Sequence, residues 1–233
     1  MLLDLYNRPI YNIRISVTSK CNLKCFYCHS EGFSKGQDEL TLDEIKAIVD
    51  LASSYGVKTV KLTGGEPLCR NDIVEIVNSI SSTPGLKEIS MVTNGQFLKN
   101  YASKLKTAGL KRVNISLPTL NGLKYTNITG VGNIEPVLEG IKEACDIGLN
   151  PVKINMVLLK GINENEVDDM ISYSAKVGAI LQIIELEPVR IAAKLYNEYH
   201  ESLDELEKML SKRAKNVYYR DDMHKRKIFE LDS

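Results

Sequence analysis

Net charge is the first thing this sequence lacks: 30 lysines and arginines stand against 30 aspartates and glutamates in 233 residues. A broad basic surface for nucleic acid is therefore not expected, although a local anion site is not excluded by the balance. No apolar run reaches the length of a membrane span, and the start, Met1-Leu2-Leu3-Asp4, has no basic-then-apolar leader. These absences predict a cytoplasmic protein with neither membrane nor nucleic-acid partner. Histidine is scarce, and His29, His200 and His224 are scattered as surface histidines usually are. Cysteine is scarce too, but unevenly so: of five, three fall within Cys21–Cys28. An odd, crowded count is poor arithmetic for a disulfide scaffold and better arithmetic for a metal site. Hydrophobic residues at 43% and charged residues at 26% are ordinary globular proportions.

What is present is an alternation of strand-like and helix-like segments with a period of about 30 residues, the size of one βα unit. Strands are expected over 13–17, 58–63, 87–92, 112–117, 152–158 and 180–187. Thr41-Leu42-Asp43-Glu44 reads as a capping box opening a helix with Leu42, Ile45, Val49 and Ala52 on one face. Asn71 is expected to cap the next helix, and Asn163-x-x-Glu166 to start the one before the sixth strand. A long loop after the fourth strand is expected to lead into a helix ending at Gly148. The pattern predicts an α/β fold: a parallel sheet with right-handed crossovers, in the form of a partial (βα)6 barrel. After Pro188 it changes, with a final helix over 203–212 and strands over 216–220 and 227–231 able to pair as a hairpin around Asp221-Asp222. The domain reading is a barrel over 1–190 and a helix-and-hairpin extension over 191–233.

Side-chain parity says more. Arg14 and Ser16 oppose Ile13, Ile15 and Val17; Lys61 and Thr63 oppose Val60 and Leu62; Asn114 and Ser116 oppose Val113, Ile115 and Leu117; Lys153 and Asn155 oppose Val152, Ile154 and Met156. A closed barrel fills its interior with branched apolar side chains. A polar inner face carrying Arg14, Lys61 and Lys153 suggests an open barrel around a polar, anionic ligand; a solvated sheet edge is the competing reading.

Cys21-Asn22-Leu23-Lys24-Cys25-Phe26-Tyr27-Cys28 is a C-x3-C-x2-C motif. Three close thiolates can hold three irons of a cubane and leave the fourth open. Zinc competes, but a structural zinc site wants four ligands, and Cys69 and Cys145 form no second pair. Gly64-Gly65-Glu66-Pro67 directly follows the second strand. Two glycines let a backbone pass close to a ligand, Pro67 stiffens the exit, and Glu66 offers a carboxylate to an ammonium group; a plain strand-to-helix turn explains the segment equally well.

The cysteine motif, with an aromatic residue before its last cysteine, resembles the signature of the radical S-adenosylmethionine superfamily. That resemblance implies a partial β/α barrel, a 4Fe–4S cluster on Cys21, Cys25 and Cys28, and S-adenosylmethionine chelating the open iron. It implies cofactor contacts from Tyr27, Gly64, Gly65, Glu66 and Ser116, and an external electron donor. Reductive cleavage of the sulfonium would release a 5′-deoxyadenosyl radical that abstracts a substrate hydrogen.

Within the superfamily the chain resembles the GTP 3′,8-cyclases, lyases that open molybdenum-cofactor biosynthesis. The resemblance runs through residues 12–18, 60–67, 93–95, 112–117 and 151–155. It implies that Arg14, Lys61 and Lys153 contact GTP, with Arg14 also in a catalytic role. Two departures stand out. Val92 occupies a position where the family usually has threonine, so a polar substrate contact is expected to be lost. The second cysteine triad that holds another cluster in the family has no counterpart before Ser233. Three explanations compete: a truncated or split product, a divergent single-cluster enzyme with another substrate, or a chain completed by a partner or a second copy of itself. A non-catalytic barrel that binds only a cluster or nucleotide is the alternative outside enzyme chemistry.

Overall fold

Alternating βα segments bury one face of each strand under helices, and here they assemble a single parallel sheet. The computed structural model describes residues 2–28, 39–189, 193–220 and 226–232. Strands β1 (Asn12–Ser16), β2 (Thr59–Thr63), β3 (Glu88–Thr93), β4 (Arg112–Ser116), β5 (Lys153–Leu158) and β6 (Ile180–Glu185) pair in chain order, all parallel. Helices α1 (Leu42–Ser54), α2 (Ile73–Ser81), α3 (Leu98–Ala108), α4 (Gly122–Thr129), α5 (Glu135–Asp146) and α6 (Val167–Val177) fill the crossovers. The expected partial barrel is the fold found, with strand bounds within two residues of those read from the pattern.

The core lies between the sheet and the helices. Ile15, Val60, Leu62, Met91, Val113, Ile115, Ile154 and Met156 are buried there together with Ile45 and Val49 of α1, Ile76 and Ile80 of α2, Leu105 of α3 and Ile141 of α5. Each such side chain contributes about 2 kcal/mol of transfer free energy. The opposite side chains of the same strands line the inner face, and register aligns them: Arg14 beside Lys61, Lys61 beside Ser90, Ser90 beside Arg112, Asn114 beside Lys153, and Ser116 beside Asn155.

Helix starts divide into those that local sequence decides and those that tertiary contacts override. At Thr41 the capping box forms: Glu44 N–H donates to Thr41 Oγ1 (3.2 Å) and Thr41 N–H donates to Glu44 Oε2 (2.8 Å). Asn71 does not cap α2. A 3-10 turn, Pro67–Cys69, intervenes, and Asp72 at the N-cap makes no cap bond because Arg70 Nε and Nη2 hold its carboxylate at 2.7 and 3.0 Å. Asn163 does not start α6 either. Its fully buried amide accepts from Leu159 N–H and donates to Pro118 O and Val157 O, stapling two strand-end loops. Glu166 meanwhile binds Thr119 and Lys124. The long loop expected after β4 contains α4, which Asn121 caps through Lys124 N–H (3.0 Å).

Beyond β6, α7 (Ala193–Tyr199), unforeseen from sequence, and α8 (Asp204–Arg213) precede an antiparallel pair, β7 (Ala214–Arg220) and β8 (Arg226–Leu231). The expected hairpin is therefore formed; its turn at Asp221-Asp222, His29, His224 and the domain boundary at Arg190 lie outside the described residues.

Candidate active site

The end of β1 and the loop that follows carry the three clustered cysteines, and three separate anchors hold that loop. The first is the segment after β2. Gly65 N–H donates to Thr18 O (2.8 Å) and Glu66 N–H to Lys20 O (2.7 Å). Both glycines are demanded by this approach: a Cβ on Gly64 would stand 2.4 Å from Thr18 O, and one on Gly65 would stand 2.2 Å from Lys20 O. Gly64 also has φ +148°, which favours glycine. Sequence reasoning assigned the glycines to close passage of a ligand; the close neighbour is the backbone of the cysteine loop. The second anchor is the end of α4, where Lys24 N–H donates to Thr129 O (2.8 Å) and Phe26 N–H to Ile128 O (3.2 Å). The third is Asn94, whose Nδ2 donates to Asn22 Oδ1 (2.8 Å).

Glu66 ties these parts together. Its Oε1 accepts from Leu68 N–H (3.0 Å) and Thr93 Oγ1 (2.6 Å), and its Oε2 accepts from Asn94 N–H (2.6 Å). The side chain is 1% exposed, and burial pushes its carboxyl up to about 7 despite those three donors. Arg70, also buried, reaches back with Nη1 to Val17 O (2.6 Å). The Gly64–Pro67 segment is thus a clamp from the second strand onto the first loop.

The thiols sit in uneven surroundings. Cys25 is half-buried while Cys21 and Cys28 are exposed, and no disulfide joins them. Burial pushes Cys25 up to about 12, with the neighbouring Cys28 and Cys21 acting in the same direction. Burial also raises Cys21, and Glu66 and Cys28 add to it. Three thiolates here repel one another and want a cationic partner to ionise together. Phe26 and Tyr27 pack edge to face beside Ile128, Leu159 and Leu186, walling one side of the loop with apolar surface. Burial raises the Tyr27 hydroxyl.

Further down the inner face stand the cations. Lys61 is brought down to about 8, first by burial and then by Arg112, Arg14, Lys153 and Arg226. Lys153 is lowered by burial and by Arg112, Arg220 and Arg226. Arg14, Lys61 and Lys153 share one face and one neighbourhood, as strand parity predicts.

Comparison with known proteins decides the family. The model of the radical SAM superfamily matches residues 15–173. The chain belongs to the radical SAM superfamily. A 4Fe–4S cluster and S-adenosylmethionine come with that membership, and the chain is an enzyme of that kind. It is 47% identical over 232 residues to a probable GTP 3′,8-cyclase of Thermococcus kodakarensis, covering 98% of this chain and 74% of that one. It is 46% identical to the corresponding protein of Pyrococcus horikoshii, with the same coverage of both chains. Its fold resembles the crystal structure of Streptococcus suis SuiB bound to S-adenosylmethionine, with a TM-score of 0.72 at 18% identity, over 87% of this chain and 46% of that one. No described helix is long and apolar enough to cross a membrane.

The residues present fit a radical SAM centre in donor chemistry. Among the described residues no three His, Cys, Asp or Glu side chains already converge on a position for one metal ion. A cubane asks for something different, one thiolate per iron corner, which three cysteines on one loop, none in a disulfide, can supply. Asn155 Oδ1, next to Ser116 in register, is buried with no hydrogen-bond partner among the described residues, so it offers a ligand an acceptor on the inner face. Glu66 is different: three protein donors already occupy its carboxylate, which gives it a structural task whatever it adds toward an ammonium group. Parity contains the signal for Arg112 and Asn155, which share the inner face with Asn114 and Lys153. Asn22, Arg70 and Asn94 carry no local signal, since each acts on a segment distant in sequence.

Proposed function

We propose that this chain is a GTP 3′,8-cyclase, with Cys21, Cys25 and Cys28 holding the 4Fe–4S cluster, and Tyr27, Gly64, Gly65, Glu66 and Ser116 bordering S-adenosylmethionine. Arg14, Lys61 and Lys153 bind the triphosphate of GTP. One observation carries the substrate reading: cations from four strands, Arg14 on β1, Lys61 on β2, Arg112 on β4 and Lys153 on β5, share the inner face of a barrel whose relatives bear the name of that cyclase. Within these 233 residues Cys69 lies on the turn after β2 and Cys145 on α5, so the two do not form a second triad.

When bound, the cluster and S-adenosylmethionine supply a carbon radical able to take a hydrogen from the substrate ribose. The chain's own residues do the rest. Arg14 on β1 and Lys61 on β2 stand side by side and offset phosphate charge from one edge of the sheet; Lys153 does so from β5. Anchoring the phosphates there directs the ribose toward the strand ends where the cysteine loop lies. Phe26, Tyr27, Ile128, Leu159 and Leu186 keep water from that end. Glu66 and Asn94 hold the loop in one position and so fix the distance between cofactor and ribose.

Incubation of the anaerobically reconstituted chain with GTP, S-adenosylmethionine and a reductant is expected to yield 5′-deoxyadenosine and a 3′,8-cyclised guanosine triphosphate in equal amounts. Deoxyadenosine without consumption of GTP would move the assignment to another substrate, a reading that Val92 on the inner face favours, since it brings an apolar side chain beside Asn114. Neither product would point to a binding barrel.

GTP affinity is expected to depend on pH through Lys61. Its ammonium is depressed to about 8, so at pH 7 it is charged. As pH rises through 8 the free enzyme loses that charge, and GTP must bind with uptake of a proton. The dissociation constant should rise about tenfold between pH 7 and 9.5, one charge-assisted contact being lost. Lys61→Arg should abolish that slope in a calorimetric titration, because a guanidinium stays charged throughout.

A further inference from the structure

The cations on the sheet do not stand alone: an element from beyond the barrel adds to them. Arg226 opens β8, and its Nη1 donates to Gln182 Oε1 at 3.1 Å. Gln182 pairs in register with Asn155 on β5, and Lys153 lies two residues earlier on the same face. On the other side, Arg112 is in register with Ser90, Ser90 with Lys61, and Lys61 with Arg14. Arg112 Nη1 also donates to Asn114 Oδ1 (3.2 Å), the neighbour of Lys153. The groups whose charge reaches Lys61 and Lys153 are Arg14, Arg112, Arg220 and Arg226 on the positive side and Glu88 on the negative. Glu88 is already held by Arg112 Nε at 2.8 Å. Among the described residues, positive charge therefore converges from β1, β2, β4, β5 and the C-terminal hairpin with Glu88 offsetting part of it, and such a cluster favours a polyanion at its centre.

We propose that Arg226 and Arg112 are further substrate-binding residues, and that the β7–β8 hairpin forms the far wall of the polyphosphate site, closing the open barrel over the phosphate chain. The inference deepens the GTP reading and rests on it for the nucleotide, but it specifies the polyphosphate by chemistry alone. Arg226 hydrogen-bonds the hairpin to Gln182 of the sheet, so it couples occupancy of the site to placement of the hairpin. Glu88 sets the strength of the site with the opposite sign.

Calorimetric titration of the full chain with GTP, GMP and inorganic tripolyphosphate tests this. Arg226→Gln is expected to weaken GTP and tripolyphosphate about tenfold, the loss of one charge-assisted contact, while leaving GMP nearly unchanged. Arg226→Lys should recover most of the loss, and Lys215→Gln, an exposed lysine on β7 outside the site, should change nothing. Glu88→Gln should tighten GTP binding several-fold, an effect that a merely structural role for the hairpin cannot produce. Equal GTP affinity in wild type and Arg226→Gln would overturn the inference and leave the GTP reading standing. Wild-type binding of tripolyphosphate, sensitive to Arg226 but without GTP binding, would support the inference and overturn the GTP reading. Binding of neither anion would overturn both.

Discussion

Cys25→Ala abolishes the chemistry outright: the reconstituted variant should fall well below the about four irons per chain expected of a loaded cubane and form no 5′-deoxyadenosine on reduction. Cys25 is the critical choice among the three. It is the half-buried thiol, walled by Phe26 and Tyr27, and both other cysteines act on it. A structural thiol at that position would tolerate alanine with a modest loss of stability, as small buried hydrophobes do. Iron and sulfide analysis, together with chromatography of the nucleoside products, distinguishes the two. A variant that keeps full iron and forms deoxyadenosine would remove the cluster from this loop.

Gly65→Ala carries the second large effect, and it acts without touching a thiol. The new methyl carbon would meet Lys20 O at 2.2 Å, Lys20 C at 2.7 Å and Ser19 O at 2.9 Å, all backbone atoms that no side-chain rotation can move. The loop must shift, breaking the bonds from Gly65 N–H to Thr18 O and from Glu66 N–H to Lys20 O. Losing both costs about 2–4 kcal/mol. In a chain of this size that lowers the midpoint of thermal unfolding by roughly 5–15 °C, and cluster loading should fall to a small fraction of wild type. Gly161→Ala is the contrast: φ is +71° there but nothing lies within 4 Å of the added carbon, so the change costs only the left-handed penalty of about 1 kcal/mol. Wild-type loading in Gly65→Ala would show that the clamp between the second strand and the cysteine loop is dispensable.

These two substitutions separate what the residues disclosed by themselves from what they did not. Strand alternation exposed the architecture because burial of one face forces period two, and Arg14, Lys61 and Lys153 emerged from the same parity with no knowledge of pairing. The Thr41–Glu44 box was legible because its bonds close within four residues. Asn163 and Asn71 are expected to open helices but do not: Pro118 and Val157 hold the Asn163 amide, and α2 begins after Asp72 rather than after Asn71. Glycine spacing at Gly64-Gly65 announced a close approach but not its object, which a chain separation of more than 40 residues conceals. Arg226 was invisible as a site residue for the same reason: nothing in β8 says which face of the barrel it meets.

Radical chemistry at this loop requires one iron of the cluster to be held by no side chain and taken by the methionine end of S-adenosylmethionine. Electron paramagnetic resonance of the reduced, fully loaded chain tests that most directly. Saturating S-adenosylmethionine should shift the g-values of the cluster signal, because a ligand on the open iron changes. An unaltered spectrum under conditions where equilibrium dialysis shows the cofactor bound would mean that the fourth iron is already closed, and the radical chemistry assigned to this loop would have to be abandoned.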